Sequence, residues 1–196
     1  MSCNLEFPKS PPPLFERFRQ SKFFIETVER AKKGNEKGYE EFVQGLADEF
    51  LTVSKQTPLE PGFNYVYISD QVEEISHLDI LLADDKRKPV GMIKLCPIEN
   101  PLPEDFEAVL TTSTYIDPRF RRQGLTKKLL LEAHLEAKSI YAKYAETDKP
   151  VAFFEQLAMP NTPQYRSLRE RMAAMLISVG YSPLDKDAGF FIKLVS

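Results

Sequence analysis

The order of elements predicts an α/β protein in which a mixed sheet is flanked by helices. Three observations lead there. The stretch 14–53 is largely helical in pattern, the periodicity changes to strands from residue 63, and helices alternate with strands from Gly124 onward. Meander strands followed by β-α-β-α-β suit one layered domain. A chain of 196 residues can fill one core and is short for two.

The elements follow in order. Residues 1–13 are proline-rich and are expected to form a flexible or extended arm ahead of a single domain, 14–196. Tyr39, Phe42, Val43, Leu46, Phe50 and Leu51 fall near one helical face. Residues 23–28 (FFIETV) read as a helix segment or a first strand. The strand is favoured because Lys33, Gly34 and Asn35 then make a turn. Strands are expected over 63–68, 78–83 and 90–98, with 84–89 (DDKRKP) as the turn of a hairpin, and over 107–116. A helix is expected from Gly124 to about residue 145, a strand over 151–157, a helix over 163–179 and a last strand over 189–195.

Composition bounds the function. Apolar residues make up 42 % and charged residues 28 % of the chain, as in ordinary globular proteins. The net charge of −3 gives no overall field for nucleic acid or an anionic membrane, so neither is expected as a partner. Two distant cysteines, Cys3 and Cys96, suggest no disulfide framework. No secretory signal pattern and no run of 18 apolar residues is read, so a cytoplasmic location is expected. No Cys/His spacing suggests zinc, and no metal is expected. There is no G-x-S-x-G, P-loop or dinucleotide glycine signature.

The chemistry concentrates in YIDPRFRRQGLTKKLL, residues 115–130. A strand ends at Asp117 and Pro118, an arginine-rich loop leads to Gly124, and a helix begins at once. A helix start carries free N–H groups and partial positive charge, and so suits phosphate. Gly124 lets the backbone approach an anion closely. Arg119, Arg121, Arg122, Lys127 and Lys128 crowd five cations into ten residues of an acidic chain. A di- or polyphosphate would account for them. A solvated basic loop on an amphipathic helix is the alternative on charge alone.

Residues Ile116, Asp117, Pro118, Arg119, Phe120, Arg121, Arg122, Gln123, Gly124, Leu125 and Thr126 resemble the acetyl-CoA motif of the GNAT superfamily of N-acetyltransferases, roughly V-x-P-x-x-[RQ]-x-x-G-x-[GA] followed by a helix. Thr126 stands where that family usually has Gly or Ala; its amide still donates. The resemblance implies a GNAT-like, mostly antiparallel mixed sheet. It implies that main-chain groups around Thr114, Tyr115 and Ile116 pair with the pantetheine arm of acetyl-CoA. It implies that the amides of Arg121, Arg122, Gln123, Gly124, Leu125 and Thr126 hold the pyrophosphate. The activity it implies is acetyl transfer from acetyl-CoA to an amine of a small molecule or protein. A CoA-binding regulatory or scaffold module without turnover is the alternative.

Acyl transfer to an amine needs a base to remove the ammonium proton. Glu107, near the start of the strand before the loop, is one candidate, because related enzymes often carry a glutamate there; a surface carboxylate at the strand edge is the other reading. Glu155, alone among apolar residues in VAFFEQLAM, is the second candidate: facing a cleft and buried, its pKa would rise into a useful range. A strand residue facing solvent is the other reading. The resemblance implies a tyrosine shortly before Gly180 and Tyr181, but Leu176 holds that place. Tyr165 could substitute or line the cofactor; its spacing with Leu168, Met172, Met175, Leu176 and Val179 also fits core packing. Asn161 matches a family asparagine that contacts the cofactor, or is a turn residue beside Thr162 and Pro163, which read as N-cap and first helical position. His134 lies on an apolar helical stripe and is expected to pack; His77, just before a strand, is expected in a loop, the alternative being a place near the acceptor site. Phe63, Tyr65 and Tyr67 line an acceptor pocket or belong to the sheet core.

Overall fold

The computed structural model describes residues 13–33, 36–57, 65–72, 75–98, 106, 108–144, 149–185 and 189–195. Glu107, Phe63 and residues 1–12 lie outside them. Three helices come first: α1 (Pro13–Gln20), α2 (Lys22–Lys32) and α3 (Glu36–Gln56). Four strands follow, β1 (Tyr65–Val72), β2 (Ile75–Ala83), β3 (Pro89–Pro97) and β4 (Ala108–Ile116). The rest of the chain forms α4 (Leu125–Tyr144), β5 (Val151–Gln156), α5 (Arg166–Ser178), β6 (Ser182–Asp185) and β7 (Phe190–Val195). The seven strands form one sheet in the order β1-β2-β3-β4-β5-β7-β6. Every pairing is antiparallel except β4 with β5. That parallel step needs a crossover, and α4 supplies it.

The expected mixed, mostly antiparallel sheet is therefore present, with local corrections. Residues 23–28 are helical, not a strand. Ser21 caps α2 by accepting the Phe24 N–H at 3.2 Å. Phe24, Val28 and Ala31, at i, i+4 and i+7, then pack into one aromatic core. Ser21→Ala should lower stability by about 1 kcal/mol, read as a shifted denaturant midpoint at unchanged slope. The second correction is β6, four residues at the sheet edge that pair, among the described residues, only with β7. Pro183 is tolerated because an edge strand needs only one row of donors. The third is α5, which begins at Arg166 after a turn closed by the Tyr165 N–H on the Thr162 carbonyl at 3.1 Å. His77 lies within β2 and not ahead of it.

Successive strand residues point to opposite faces, and the core divides accordingly. Leu110 and Phe153 face the layer of α4 and α5, with Leu129, Leu130, Ala133 and Leu176. Val109 and Phe154 face α1 and α2, where Phe18 and Phe24 close an aromatic cluster with Phe106 and Phe190. Phe50 of α3 covers Leu81 and Met92 on that second face. On α3 the expected stripe is narrower than read: Leu46 and Phe50 are buried, whereas Phe42 and Leu51 are exposed. Tyr65 packs on the main core, while Tyr67 is exposed and its hydroxyl donates to Glu132.

One topological feature positions the site. β4 and β5 pair from Ala108 with Val151 to Thr111 with Phe154, and there the register ends. β4 runs on to Ile116, still held along its other edge by β3. The two parallel strands therefore part beyond Thr111. Gly91 makes the tight β3–β4 contact possible: a Cβ there would meet Ile116 Cδ1 at 2.6 Å and the Tyr115 carbonyl at 3.0 Å.

Candidate active site

At the end of β4 the chain makes a short 3-10 turn, Pro118–Phe120, capped by Asp117. The Asp117 carboxylate accepts from the Arg119 N–H at 2.9 Å and forms an ion pair with the Arg119 guanidinium at 2.6 Å. Those Arg119 bonds hold the Asp117 carboxyl below the usual range. The Asp117 N–H donates to the Val90 carbonyl at 3.0 Å, which ties the turn to β3. Arg121 folds back, with Nε donating to the Ile116 carbonyl at 3.1 Å. Of the five clustered cations, Arg119 is thus engaged by Asp117, Arg121 by the end of β4, and Lys127 by Ser178 Oγ at 3.3 Å.

The loop then rises into α4 through two left-handed residues, Arg122 at φ 67° and Gly124 at φ 73°. For an arginine that conformation costs on the order of 1–2 kcal/mol. Among the described residues, chain neighbours aside, no atom lies within 4 Å of a Cβ built on Gly124. The glycine therefore meets a backbone requirement and faces open space. The first α4 bond runs from the Lys128 N–H to the Gly124 carbonyl at 3.2 Å. The N–H groups of Leu125, Thr126 and Lys127 precede that ladder and point out of the helix start. Arg122, Gln123, Gly124 and Lys128 are exposed around it. Open space, leading amides and cations together suit a phosphate group.

The parting of β4 and β5 holds the other polar feature. Glu155 shares its face of β5 with Phe153 and is only 8 % exposed. Its carboxylate accepts from Thr112 Oγ1, the first β4 residue beyond the paired register, and from Tyr181 Oη at 3.4 Å. Burial raises its pKa from 4.5 to about 8, against the lowering effect of those two hydroxyls.

Tyr181 reaches this spot through the end of α5. Its N–H donates to the Leu176 carbonyl and the Gly180 N–H to the Ile177 carbonyl, with Gly180 at φ 96°. That is a Schellman ending, and it delivers the following side chain inward. Tyr181 Oη also meets His134 Nε2 at 3.0 Å, and His134 Nδ1 meets Lys193 Nζ at 2.9 Å. Burial, aided by Lys193, lowers the His134 pKa to about 3, so the imidazole is neutral at neutral pH.

These two groups give opposite pH dependences of stability. Glu155 titrates higher when folded than its ordinary 4.5, so its contribution is full below about 4.5 and is lost as pH rises to about 8. His134 titrates below its ordinary 6.5, so its contribution is full above about 6.5 and is lost as pH falls to about 3. Relative to the wild type, Glu155→Gln should gain stability between pH 5 and 8.5, at up to about 1.4 kcal/mol per pH unit. Urea unfolding at both pH values measures it; a constant difference would contradict the buried, raised carboxyl.

The remaining sequence candidates are placed as follows. Tyr165 precedes α5, half-buried, its ring edge-to-face with Tyr39 at 5.2 Å. The hydroxyls that reach Glu155 are those of Thr112 and Tyr181. Asn161 is exposed in the bend after β5, and Thr162 Oγ1 donates to Glu36 at 3.2 Å. Leu176 is 3 % exposed within the core. Thr112, Tyr181 and Lys193 escaped the sequence reading. Only Tyr181 carried a local signal, the glycine before it.

Among the described residues, no group of three or more His, Cys, Asp or Glu is arranged to hold a metal. No helix among them is long and apolar enough to cross a membrane.

The acetyltransferase (GNAT) family model matches residues 41–159. That span covers more than half of the chain, which therefore belongs to this family. No curated protein matches it. Similar solved structures include a GNAT superfamily phosphinothricin acetyltransferase from Sinorhizobium meliloti in complex with AcCoA, at 12 % identity and TM-score 0.44 over 61 % of this chain and 62 % of that one. The chain thus spans 62 % of that protein's length. The GNAT family N-acetyltransferase YhbS from Escherichia coli in complex with CoA matches at 10 % identity and TM-score 0.41, over 71 % and 86 % of the two chains. A putative acyl-CoA N-acyltransferase from Klebsiella pneumoniae subsp. pneumoniae matches at 14 % identity and TM-score 0.40, over 91 % and 94 %.

Proposed function

We propose that the chain is an acetyl-CoA-dependent N-acetyltransferase whose acceptor is an amine of a small molecule or protein. The observation that carries this reading is Glu155, a buried carboxylate set where β4 and β5 part and held by Thr112 and Tyr181. A carboxylate titrating near 8 is matched to accepting a proton from an alkylammonium at neutral to mildly basic pH. The amides at Leu125 and Thr126, with Arg122 beside them, bind the pyrophosphate. Gly124 leaves room for it. The unpaired β4 edge at Thr114, Tyr115 and Ile116 offers main-chain groups to the pantetheine arm. The acetyl thioester then lies near Thr112, within reach of Glu155 directly or through one water. Asn161 is a candidate contact to the cofactor, Tyr165 a candidate donor to the leaving thiolate, and Glu107 a second candidate base.

A CoA-binding module without turnover is the second reading. Leu176 favours it, because a buried leucine fills the place where the family resemblance implies a tyrosine. Thiol release from acetyl-CoA across a broad panel of amines decides between them. Release with at least one amine supports the transferase. Acetyl-CoA binding by calorimetry with no release for any amine supports the module. No binding at millimolar acetyl-CoA sinks both.

A further inference from the structure

Four side chains from separate parts of the fold form one hydrogen-bonded line through the layer of α4 and α5. They are Lys193 of β7, His134 of α4, Tyr181 after α5 and Glu155 of β5. We propose that Lys193 is a positioning residue for Glu155, acting at a distance through His134 and Tyr181. The catalytic meaning of this rests on Glu155 being the base; the hydrogen-bond order does not.

The direction of the line follows from donor chemistry. An ammonium has donors only, so Lys193 must give a hydrogen to His134 Nδ1. A neutral imidazole that accepts at Nδ1 carries its proton on Nε2. That proton goes to Tyr181 Oη, and the single Tyr181 hydrogen is then committed to the Glu155 carboxylate. Every hydrogen points at Glu155 because the far end is an ammonium. Without Lys193 the imidazole is free to take the other tautomer and to accept from Tyr181, and the tyrosine hydrogen turns away from the carboxylate.

The surroundings hold this arrangement in place. His134 is 7 % and Tyr181 3 % exposed, and the imidazole stands edge-on to Phe153 with centroids 4.6 Å apart. Among the described residues, the groups facing Glu155 are Thr112 and Tyr181; those facing His134 are Lys193, Tyr181 and the Phe153 ring. Lys193 is half-buried, and its Nζ also donates to the Val179 carbonyl at 2.8 Å, at the end of α5. A core that needed only stability would gain by replacing such a line with apolar groups. Capping α5 is the competing, purely structural role for Lys193, and it predicts no effect on His134 or Glu155.

The test is nuclear magnetic resonance on the full chain without substrate, with 15N-labelled histidine and 13C-labelled glutamate carboxyls. Only His77 and His134 need to be told apart, and Glu155→Gln identifies the carboxyl signal. In the wild type, His134 should be the Nε2–H tautomer. In Lys193→Met the Nδ1–H form should appear and the Glu155 midpoint should rise by about one pH unit. Lys193→Arg, which keeps a cationic donor, should restore both. Tyr181→Phe should raise the midpoint as much as Lys193→Met, and the double variant no further, because both break one line. An Nδ1–H tautomer in the wild type overturns the proposal. So does an unchanged tautomer and midpoint in Lys193→Met, or additive shifts in the double variant. Acetyl-CoA calorimetry on the same samples shows separately whether the transferase reading stands.

Discussion

Glu155→Gln should lower the turnover number by about 10²–10⁴-fold, the usual span for losing a general base, while acetyl-CoA affinity stays unchanged. The amide is nearly isosteric, and its oxygen can still accept from Thr112 and Tyr181. What it loses is the capacity to take a proton. The wild-type kcat/KM should rise with pH to a plateau above about 8, as the buried carboxyl ionises. The variant should lack that limb. An amine acceptor contributes a limb of its own, so two amines of different basicity separate the two ionisations: the limb of Glu155 stays put and that of the amine moves. Thiol release at saturating acetyl-CoA between pH 6 and 9.5 reads both quantities. A variant that keeps the wild-type rate and limb would remove Glu155 from the chemistry and leave Glu107 as the base to test.

Gly124→Glu should weaken acetyl-CoA binding at least about 100-fold, which corresponds to roughly 2.7 kcal/mol. Two effects add. A side chain at φ 73° is strained by on the order of 1–2 kcal/mol. A carboxylate also enters the open space in front of the leading α4 amides, where the pyrophosphate is proposed to sit, and like charges repel there. Gly124→Asn separates the two, since asparagine tolerates positive φ and carries no charge; it should bind only a few-fold more weakly than the wild type. Because, among the described residues and chain neighbours aside, nothing lies within 4 Å of the new Cβ, the strain alone should appear in stability. Calorimetric titration with acetyl-CoA measures the affinities. Equal affinity for Gly124→Glu and the wild type would move the anion away from this helix start.

The phosphate loop was legible in the chain because its determinants are local. Strand, proline, arginines and Gly124 lie consecutively, and the left-handed φ of Gly124 is what a glycine at a tight entry to a helix announces. Residues 23–28 are helical despite a strand-like composition, and the reason is equally local. A pair of phenylalanines followed by isoleucine suits a strand, and the decisive counter-signal was one serine ahead of them acting as a cap. Edge strand β6 had no chance of being read. Its four residues include Pro183, and only pairing with β7 makes them a strand. Glu155 stands out as a lone acid in an apolar strand, but nothing in its sequence neighbours tells a cleft from solvent.

The sequence by itself determined the fold class, the strand–loop–helix segment at 115–130 and the chemistry that segment suits, because short-range periodicity, backbone freedom at Gly124 and helix-start amides are properties of contiguous residues. Only the tertiary structure decided what surrounds Glu155. The bonds that define that environment join residues 26, 43, 47 and 59 positions apart. Burial, which sets the ionisation of Glu155, arises from α4, α5 and the sheet closing over it together. No window of sequence contains those partners at once, since they become neighbours only when β5 and β7 pair and α5 ends at Gly180.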